Sequence, residues 1–513
     1  MTQLVFVTSL LNLLIYHLPL YNFAGGSLNL TTLNGLSTLF IVGLIIFSFT
    51  AIAFFLLFII SRWVALPIIV ILFILNATAL YFMLTYQVVF DKTMVANIFN
   101  TRNSESGDYL HPKLLLYIAL LGILPAWLLL KFRIKRISRV RLILNACLTL
   151  LLSITLIYLN ASTSLWIDKN ASKLGSRILP WSYLINIAKH QHATRTGPQV
   201  RALLPPISVT NNQKSVVVLV IGETARAQNF SLYGYGRETN PLLGKTDIVT
   251  LKDTTACSTY TTASINCMLS PVEEDTDTYE PLPTYLNRHD VDVIWHSNNW
   301  GEPPLSVNTY RENESLQEDC QSKHCNYDEV LLSGLKQRIE SSDKQKILVV
   351  LHASGSHGPS YYTKYPAAFE VFEPVCKSVA LDECTLQELV NAYDNSLLYT
   401  DYFLSQLIKL LQAIPQTPTA MMYVSDHGES LGEYGLYLHG TPFAIAPDVQ
   451  KKVPFLLWMS QRFMEQRDIS ATEFKQQDQH THRHIFHSVM GALDLESAAY
   501  EDAFDIFAQP HHK

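Results

Sequence analysis

Between Leu39 and Phe90 the chain carries a single charged residue, Arg62, in a run of leucine, isoleucine, phenylalanine and valine. A helix needs about 20 apolar residues to cross the hydrocarbon of a bilayer, and the stretches on either side of Arg62 both reach that length. A buried helix of a water-soluble bundle would be shorter and would keep a polar face. Further runs of the same kind give five in all, near 3–21, 37–60, 64–89, 113–131 and 142–160. The first has neither the basic start nor the small-residue cleavage site of a signal peptide, so it is read as a retained span. The expected organisation is a five-helix transmembrane domain over 1–161, an interfacial amphipathic linker over 162–205 and a globular domain over 206–513.

Charge and cysteine usage orient this plan. The loop between the fourth and fifth runs carries Lys131, Arg133, Lys135, Arg136, Arg139 and Arg141 with no acidic residue. Basic loops stay on the cytoplasmic side, which puts the N-terminus inside and residues 162–513 outside. Cys147 falls in the fifth run, while Cys257/Cys267, Cys320/Cys325 and Cys376/Cys384 form close couples in the outer part. No couple is a CxxC, so disulfides in an oxidising compartment fit better than a zinc ribbon. The net charge of −6 and the lack of a long basic tract give no support for nucleic-acid binding.

Trp166, Lys169, Lys173, Arg177, Trp181, Tyr183 and Lys189 mix aromatic and basic side chains directly after the last run. Such mixtures favour the lipid–water boundary, so short amphipathic helices are expected there, followed by a linker near 197–206. Beyond it, β-branched runs at 216–221, 292–296, 347–351, 421–425 and 453–458 alternate with helical patterns such as 327–340 and 386–411. Apolar strands separated by helices predict an α/β domain with a mainly parallel central sheet covered on both faces. Sites in such sheets form at the carboxyl ends of strands. Gly222-Glu223-Thr224, the segment from His352 to His357, and Asp426-His427-Gly428-Glu429 all follow expected strands.

Asp426-His427-Gly428-Glu429 supplies two carboxylates and an imidazole within four residues, a donor set suited to zinc. A helix start also favours Asp and Glu, so the tetrad alone leaves a capping role open. Glu223 follows a strand too apolar to be exposed, and a buried carboxylate must be paired, protonated or bound to a cation. His357, in Ser354-Gly355-Ser356-His357-Gly358-Pro359, and His439, in His439-Gly440, sit among small residues that leave room for a ligand. Either histidine taken alone could equally serve the core.

Three longer motifs are more specific. Gly222-Glu223-Thr224-Ala225-Arg226-Ala227, the run from Gly234 to Pro241 (GYGRETNP) and that from Asp426 to Glu433 (DHGESLGE) resemble the lipid A phosphoethanolamine transferases. That family includes the mobile colistin-resistance enzymes and belongs to the sulfatase/alkaline-phosphatase superfamily. The resemblance runs through nearly the whole chain. It implies an alkaline-phosphatase/sulfatase-like periplasmic catalytic phosphotransferase domain on a multi-pass inner-membrane anchor, working as a monomer. It implies one tightly held Zn2+, with Glu223, Thr261, Asp426 and His427 as ligands, and allows a second. Thr261, four residues after Cys257, matches the family nucleophile, and Glu429 an active-site carboxylate. His357, His439 and Asn299 match positions that bind substrate or a second metal. Asn97, Thr101 and Glu105 resemble residues of a lipid-binding loop, although their spacing equally suits one face of a short helix.

The implied reaction moves phosphoethanolamine from phosphatidylethanolamine to a phosphate of lipid A in lipopolysaccharide, through a phosphothreonine intermediate, and releases diacylglycerol. Capping a phosphate with an amine weakens the grip of cationic peptides. Transfer to a core heptose, another glycan or a protein is the sister reading, and a membrane-anchored phosphodiesterase or sulfatase-type hydrolase is the reading from another reaction class. No Cys/Ser-x-Pro-x-Arg sequence of the sulfatase kind occurs in the expected strand-end region. Relatives carry a lysine after the Trp-x-x-Asn-Asn stretch, where this chain reads Trp300-Gly301-Glu302-Pro303. The histidines of His480-Thr481-His482-Arg483-His484 are read as a polar helix start, and His511-His512 as a loose tail.

Overall fold

The computed structural model describes residues 1–100, 107, 109–131, 135, 137–159, 161–195, 201–470 and 479–508. Thr101, Glu105 and His511-His512 lie outside the described residues. The chain divides into two compact units, Met1–Gly197 and Pro198–Lys513.

In the first unit, α1 (Thr2–Tyr16) and α2 (Leu18–Ser27) occupy the first apolar run, bent by 62° at His17. Pro19 in the first turn of α2 starts a new helix there. The run read as one span is therefore a bent pair. Next come α3 (Leu33–Ile60), α4 (Arg62–Thr85), α5 (Pro112–Leu130) and α6 (Arg139–Leu159). Among the described residues α3, α4 and α5 are each long and apolar enough to cross a membrane, and the bent pair makes a fourth candidate. The fifth expected run is the 21-residue α6. Ser61 ends α3 in an extended conformation and caps α4 by accepting the Trp63 amide, which is why two adjoining apolar runs do not fuse.

A polar chain runs through the core of this unit. The Tyr183 hydroxyl donates to Asn76 Oδ1 (2.8 Å), Asn76 Nδ2 to Asn12 Oδ1 (2.8 Å) and Asn12 Nδ2 to the Leu179 carbonyl (3.1 Å). In an apolar surrounding each bond satisfies a group that could not otherwise be buried. Tyr183 belongs to α7 (Trp181–Arg195), and Trp166 packs against Phe23 at 6.1 Å. The aromatic–basic segment thus packs its rings into the helices of this unit.

The second unit is built on a seven-stranded sheet. Its strands are β1 (Ser215–Gly222), β2 (Val249–Leu251), β3 (Asp292–Ser297), β4 (Thr309–Glu312), β5 (Lys346–His352), β6 (Thr419–Ser425) and β7 (Phe455–Met459). Their order is β2-β7-β6-β1-β5-β3-β4. β6, β1, β5, β3 and β4 run parallel, and β7 pairs antiparallel with both β6 and β2. The sheet is mainly parallel, as expected, with an antiparallel margin. Every residue of β1, β3, β5, β6 and β7 is buried, which accounts for their mostly apolar centres, with polar residues such as Asp292, His296, Lys346 and His352 towards their ends. One face packs Val217, Leu219, Leu348, Val350 and Met422 into a core with Phe486 and Val489 of α10 (Arg483–Ala492).

Two further helices matter to the site. α8 (Thr261–Met268) follows β2, and α9 (Leu386–Gln412) carries the capping box Thr385/Glu388. The 327–340 pattern is not one helix. A 3-10 turn at Asp328–Leu332 and a helix at Leu335–Glu340 are split by Gly334 at φ +65°. Cys257–Cys267, Cys320–Cys325 and Cys376–Cys384 are disulfide-bonded, all in the second unit. Local pairing is what their spacing led one to expect.

Candidate active site

Parallel pairing in register places Gly222 opposite Ser425 and Ile221 opposite His352, so the carboxyl ends of β1, β5 and β6 lie side by side. Glu223, Ala353 and Asp426 therefore leave the sheet together. Glu223, Asp426 and His427 are fully buried, and one ligand atom from each lies within 4.8 Å of the others. Among the described residues this is the group of three acidic, imidazole or thiol side chains that converges in this way.

Backbone geometry fixes the cluster. Thr224 adopts φ +59°, which turns its amide onto Asp426 Oδ1 (3.0 Å) and its hydroxyl onto Glu223 Oε1 (2.5 Å). Ser425 Oγ accepts the Ala225 amide (2.7 Å) and donates to the His427 carbonyl (3.0 Å), tying the two strand ends together. His427 Nδ1 donates to the Gly428 carbonyl (3.0 Å), leaving Nε2 as a lone pair 3.2 Å from Asp426 Oδ2 and 3.5 Å from Glu223 Oε1. At position 428 a Cβ would sit 2.0 Å from the Val449 carbonyl oxygen, so only glycine fits.

The cluster is chemically incomplete as a purely protein arrangement. Asp426 Oδ2 is buried, and no hydrogen-bond donor among the described residues reaches it. Burial and the neighbouring Asp426 push Glu223 above the usual carboxylate range, and burial does the same to Asp426. Burial lowers His427 to about 3, keeping it neutral. Two carboxylates and a neutral imidazole nitrogen converging in a dry site fit a divalent cation, and the N/O set suits zinc.

Thr261 is the first residue of α8, and its Oγ1 lies 3.3 Å from Glu223 Oε2 and 3.3 Å from His427 Nε2. Its neighbour Thr259 is committed elsewhere, donating to the Thr441 carbonyl (2.7 Å). The hydroxyl thus stands at a helix start, where negative charge is favoured. Gly301, at φ +106°, closes over it: a Cβ there would come within 3.2 Å of Thr261 Cγ2.

Around this centre, the rings of His427 and His439 lie 4.2 Å apart and those of His357 and His439 5.8 Å apart. His439 Nδ1 is 3.3 Å from Glu429 Oε1. Burial alone would lower His439, but Glu429 together with Glu223 and Asp426 outweighs it and raises the imidazole to about 9. His357 is driven down by burial. Asn299 is engaged by the protein: Nδ2 donates to Glu223 Oε2 (2.8 Å) and the Ala353 carbonyl (2.9 Å), and Oδ1 accepts the Trp300 amide (2.9 Å). It orients Glu223, whereas the sequence reading gave it a substrate or second metal. Asn97 lies in the helix Lys92–Asn100 of the first unit.

Both halves of the chain match family models: the "Phosphoethanolamine transferase EptA/EptB" model over residues 5–194 and the "Sulfatase" model over 215–495. The phosphoethanolamine transferase EptA of Helicobacter pylori is 38% identical over 455 residues, covering 87% of this chain and 85% of its own length. The chain belongs to the phosphoethanolamine transferases. This transferase is also 33% identical to the phosphatidylethanolamine transferase Mcr-1 of Escherichia coli, over 77% of its own length and 79% of that protein. The structure of the integral membrane lipooligosaccharide phosphoethanolamine transferase A of Neisseria meningitidis superimposes with a TM-score of 0.87. It is 28% identical and covers 99% of this chain and 98% of its own. The transferase accordingly combines a helical membrane domain with a sulfatase-like α/β domain.

Several residues of the transferase site escape a reading of the sequence. Asp328 accepts from the Ser354 and Gly355 amides (2.8 and 2.9 Å) and from Asn298 Nδ2 (2.8 Å), so it sets the loop that carries His357. His482 Nε2 donates to the Ser425 carbonyl (3.0 Å), while its Nδ1 accepts the Cys257 amide (3.4 Å). A helix does start here, at Arg483 with His482 at its N-cap, but His480, His482 and His484 are buried rather than facing water. The 480–481 strand pairs with Thr254 and Thr255, which draws these rings inward.

Proposed function

We propose that the enzyme transfers phosphoethanolamine from phosphatidylethanolamine to a phosphate of lipid A, with Thr261 as the carrier. The observation that carries this reading is the position of Thr261 Oγ1, 3.3 Å from both Glu223 and His427 at the start of a helix.

Glu223, Asp426 and His427 would hold one zinc ion with the Thr261 oxygen as a further ligand, and His357, His439 and Glu429 border the space for substrate. A bound zinc ion supplies Lewis acidity, lowering the pKa of the hydroxyl and offsetting charge on phosphoryl oxygens. Asn299 and Thr224 keep Glu223 in place through Oε2 and Oε1. Thr261 Oγ attacks the donor phosphorus, the bond from phosphorus to the diacylglycerol oxygen breaks, and diacylglycerol departs with a proton. A lipid A phosphate oxygen then attacks the same phosphorus and frees Thr261. His439, its Nδ1 3.3 Å from Glu429 Oε1, borders the space for the phosphoryl group. The protonated amine left on lipid A reduces the negative charge of the outer surface, the basis of resistance to polymyxin-like peptides.

The same reading puts the protein in the bacterial inner membrane with the N-terminus in the cytoplasm and the catalytic domain in the periplasm. The acid-free basic loop over 131–141 and the confinement of all three disulfides to the second unit support that orientation. Mass spectrometry of lipid A and core oligosaccharide from cells expressing the enzyme or Thr261→Ala tests the assignment. Phosphoethanolamine on lipid A with the wild type alone is the expected result. Modification of core sugar only, or free ethanolamine phosphate with unmodified lipid, overturns it.

A further inference from the structure

Beyond Glu429, Ser430–Leu431 pairs antiparallel with Tyr437–Leu438, and the turn between them projects Tyr434 into solvent. Tyr434 is 91% exposed and holds φ +55° between Gly432 and Gly435, both also at positive φ. The same segment continues through His439 to Phe443 and Ile445, 42% and 58% exposed. Lys451 Nζ lies 5.6 Å from the Phe443 ring. Single exposed apolar side chains are ordinary, but a group of them on one segment marks a contact surface.

The segment is not a loose appendage. The Gly440 amide donates to the Thr259 carbonyl (2.8 Å), and Thr259 Oγ1 to the Thr441 carbonyl (2.7 Å). The Thr441 amide donates to Gln450 Oε1 (3.2 Å). The 440–441 stretch, which lies between Tyr434 and Phe443 in the chain, is therefore tied to the loop that presents Thr261.

The occupant follows from the shape of the donor, and this step rests on reading the donor as a bilayer phospholipid. Its reacting phosphate is joined to the acyl carbonyls by a three-carbon glycerol. For the phosphate to meet Thr261 while the acyl chains stay in the bilayer, the mouth of the site must enter the headgroup layer. Amphipathic surfaces in that layer bury their apolar face about 5–10 Å into the headgroup–acyl boundary. Tyr434, Phe443 and Ile445 are suited to it through their apolar bodies, and the tyrosine keeps a polar tip for the headgroups, while Lys451 is held by Asp448 (3.4 Å). We propose that the 432–445 segment is a lipid-contact rim that docks on the headgroup layer of the leaflet holding the donor.

The test uses the full chain in vesicles of phosphatidylcholine with a minority of phosphatidylethanolamine. In a Cys147→Ser background, Tyr434→Cys is labelled with an environment-sensitive fluorophore. Blue-shifted emission quenched by spin-labelled lipid is expected, while the same label at Asp290→Cys, at the amino end of β3, stays water-like. A water-like signal at 434 overturns the proposal. In parallel, the triple variant Tyr434→Ser/Phe443→Ser/Ile445→Ser is assayed by diacylglycerol release from long-chain phosphatidylethanolamine in the vesicles and from a short-chain analogue supplied as monomers. The ratio of the two rates should fall about tenfold relative to wild type, and an unchanged ratio overturns the rim. If wild type consumes neither lipid, the donor reading fails and the fluorescence result alone decides the rim.

Discussion

Gly355 lies against the backbone of Glu223: a Cβ at position 355 would stand 2.6 Å from the Glu223 carbonyl oxygen and 2.9 Å from its nitrogen. With φ at +49° and the Ser356 amide donating to that same carbonyl (3.0 Å), glycine lets the His357 loop brace the residue that faces the cation site. Gly355→Ala adds left-handed strain and a backbone collision that no rotamer relieves. It should lower stability by about 2–4 kcal/mol and turnover by about a hundredfold, read by thermal denaturation and by lipid A modification.

Thr261→Ala should abolish transfer of a labelled head group onto the enzyme. Thr261→Ser keeps the hydroxyl but loses the methyl that sits under Gly301. Its attack geometry loosens, and turnover should fall by about ten- to a hundredfold. Labelling with fluorescent phosphatidylethanolamine separates the two variants. Equal labelling of Thr261→Ala and wild type would remove Thr261 from the reaction.

Metal stripping should silence the enzyme, and zinc should restore it. Asn299→Ala provides the finer measurement, because it removes the donor to Glu223 Oε2 while leaving Glu223, Asp426 and His427 in place. Loss of such an orienting bond costs about 10–100-fold in metal affinity, measurable by competition with a chromophoric chelator. Full affinity in Asn299→Ala would show that Glu223 needs no such support.

Asp505 gives a pH signature away from the metal site. It accepts from the Tyr500 hydroxyl (2.7 Å) and the Phe507 amide (2.9 Å), and burial raises it to about 7. An acid whose folded pKa is raised binds more protons folded than unfolded. Its contribution is therefore greatest at low pH and is lost as pH rises from about 4 towards 7. In that window the slope is about 1.4 kcal/mol per pH unit for this one group. Asp505→Asn should flatten that slope in thermal melts from pH 5 to 8, and a parallel profile would refute the assignment.

The parts of this protein that follow from local chemistry are legible in the sequence. Ser215–Gly222 is visible because a strand buried on both faces in a parallel sheet has no polar side to show. Glu223, Asp426 and His427 stand out because each follows such a strand, where a carboxylate has no cheap structural use. Parts set by distant contacts stay hidden. Val249–Leu251 and Thr309–Glu312 are short and are defined by their sheet partners. Thr224 looks like an ordinary threonine until its left-handed φ turns its amide to Asp426. Asp328 lies more than twenty residues before the amides it holds, with no local pattern to announce it. Asn299 could be placed near the site from its motif, but its commitment to Glu223 and Ala353 is a fact of three-dimensional packing.

The bonds from His482 to the Ser425 carbonyl and the Cys257 amide carry a consequence for biogenesis. One late-synthesised ring fastens two segments that emerge far earlier, 225 and 57 residues upstream. Until position 482 has been synthesised, the threonine loop and the acid–imidazole strand end lack this fastening, so the ring makes completion of the site a late step of folding.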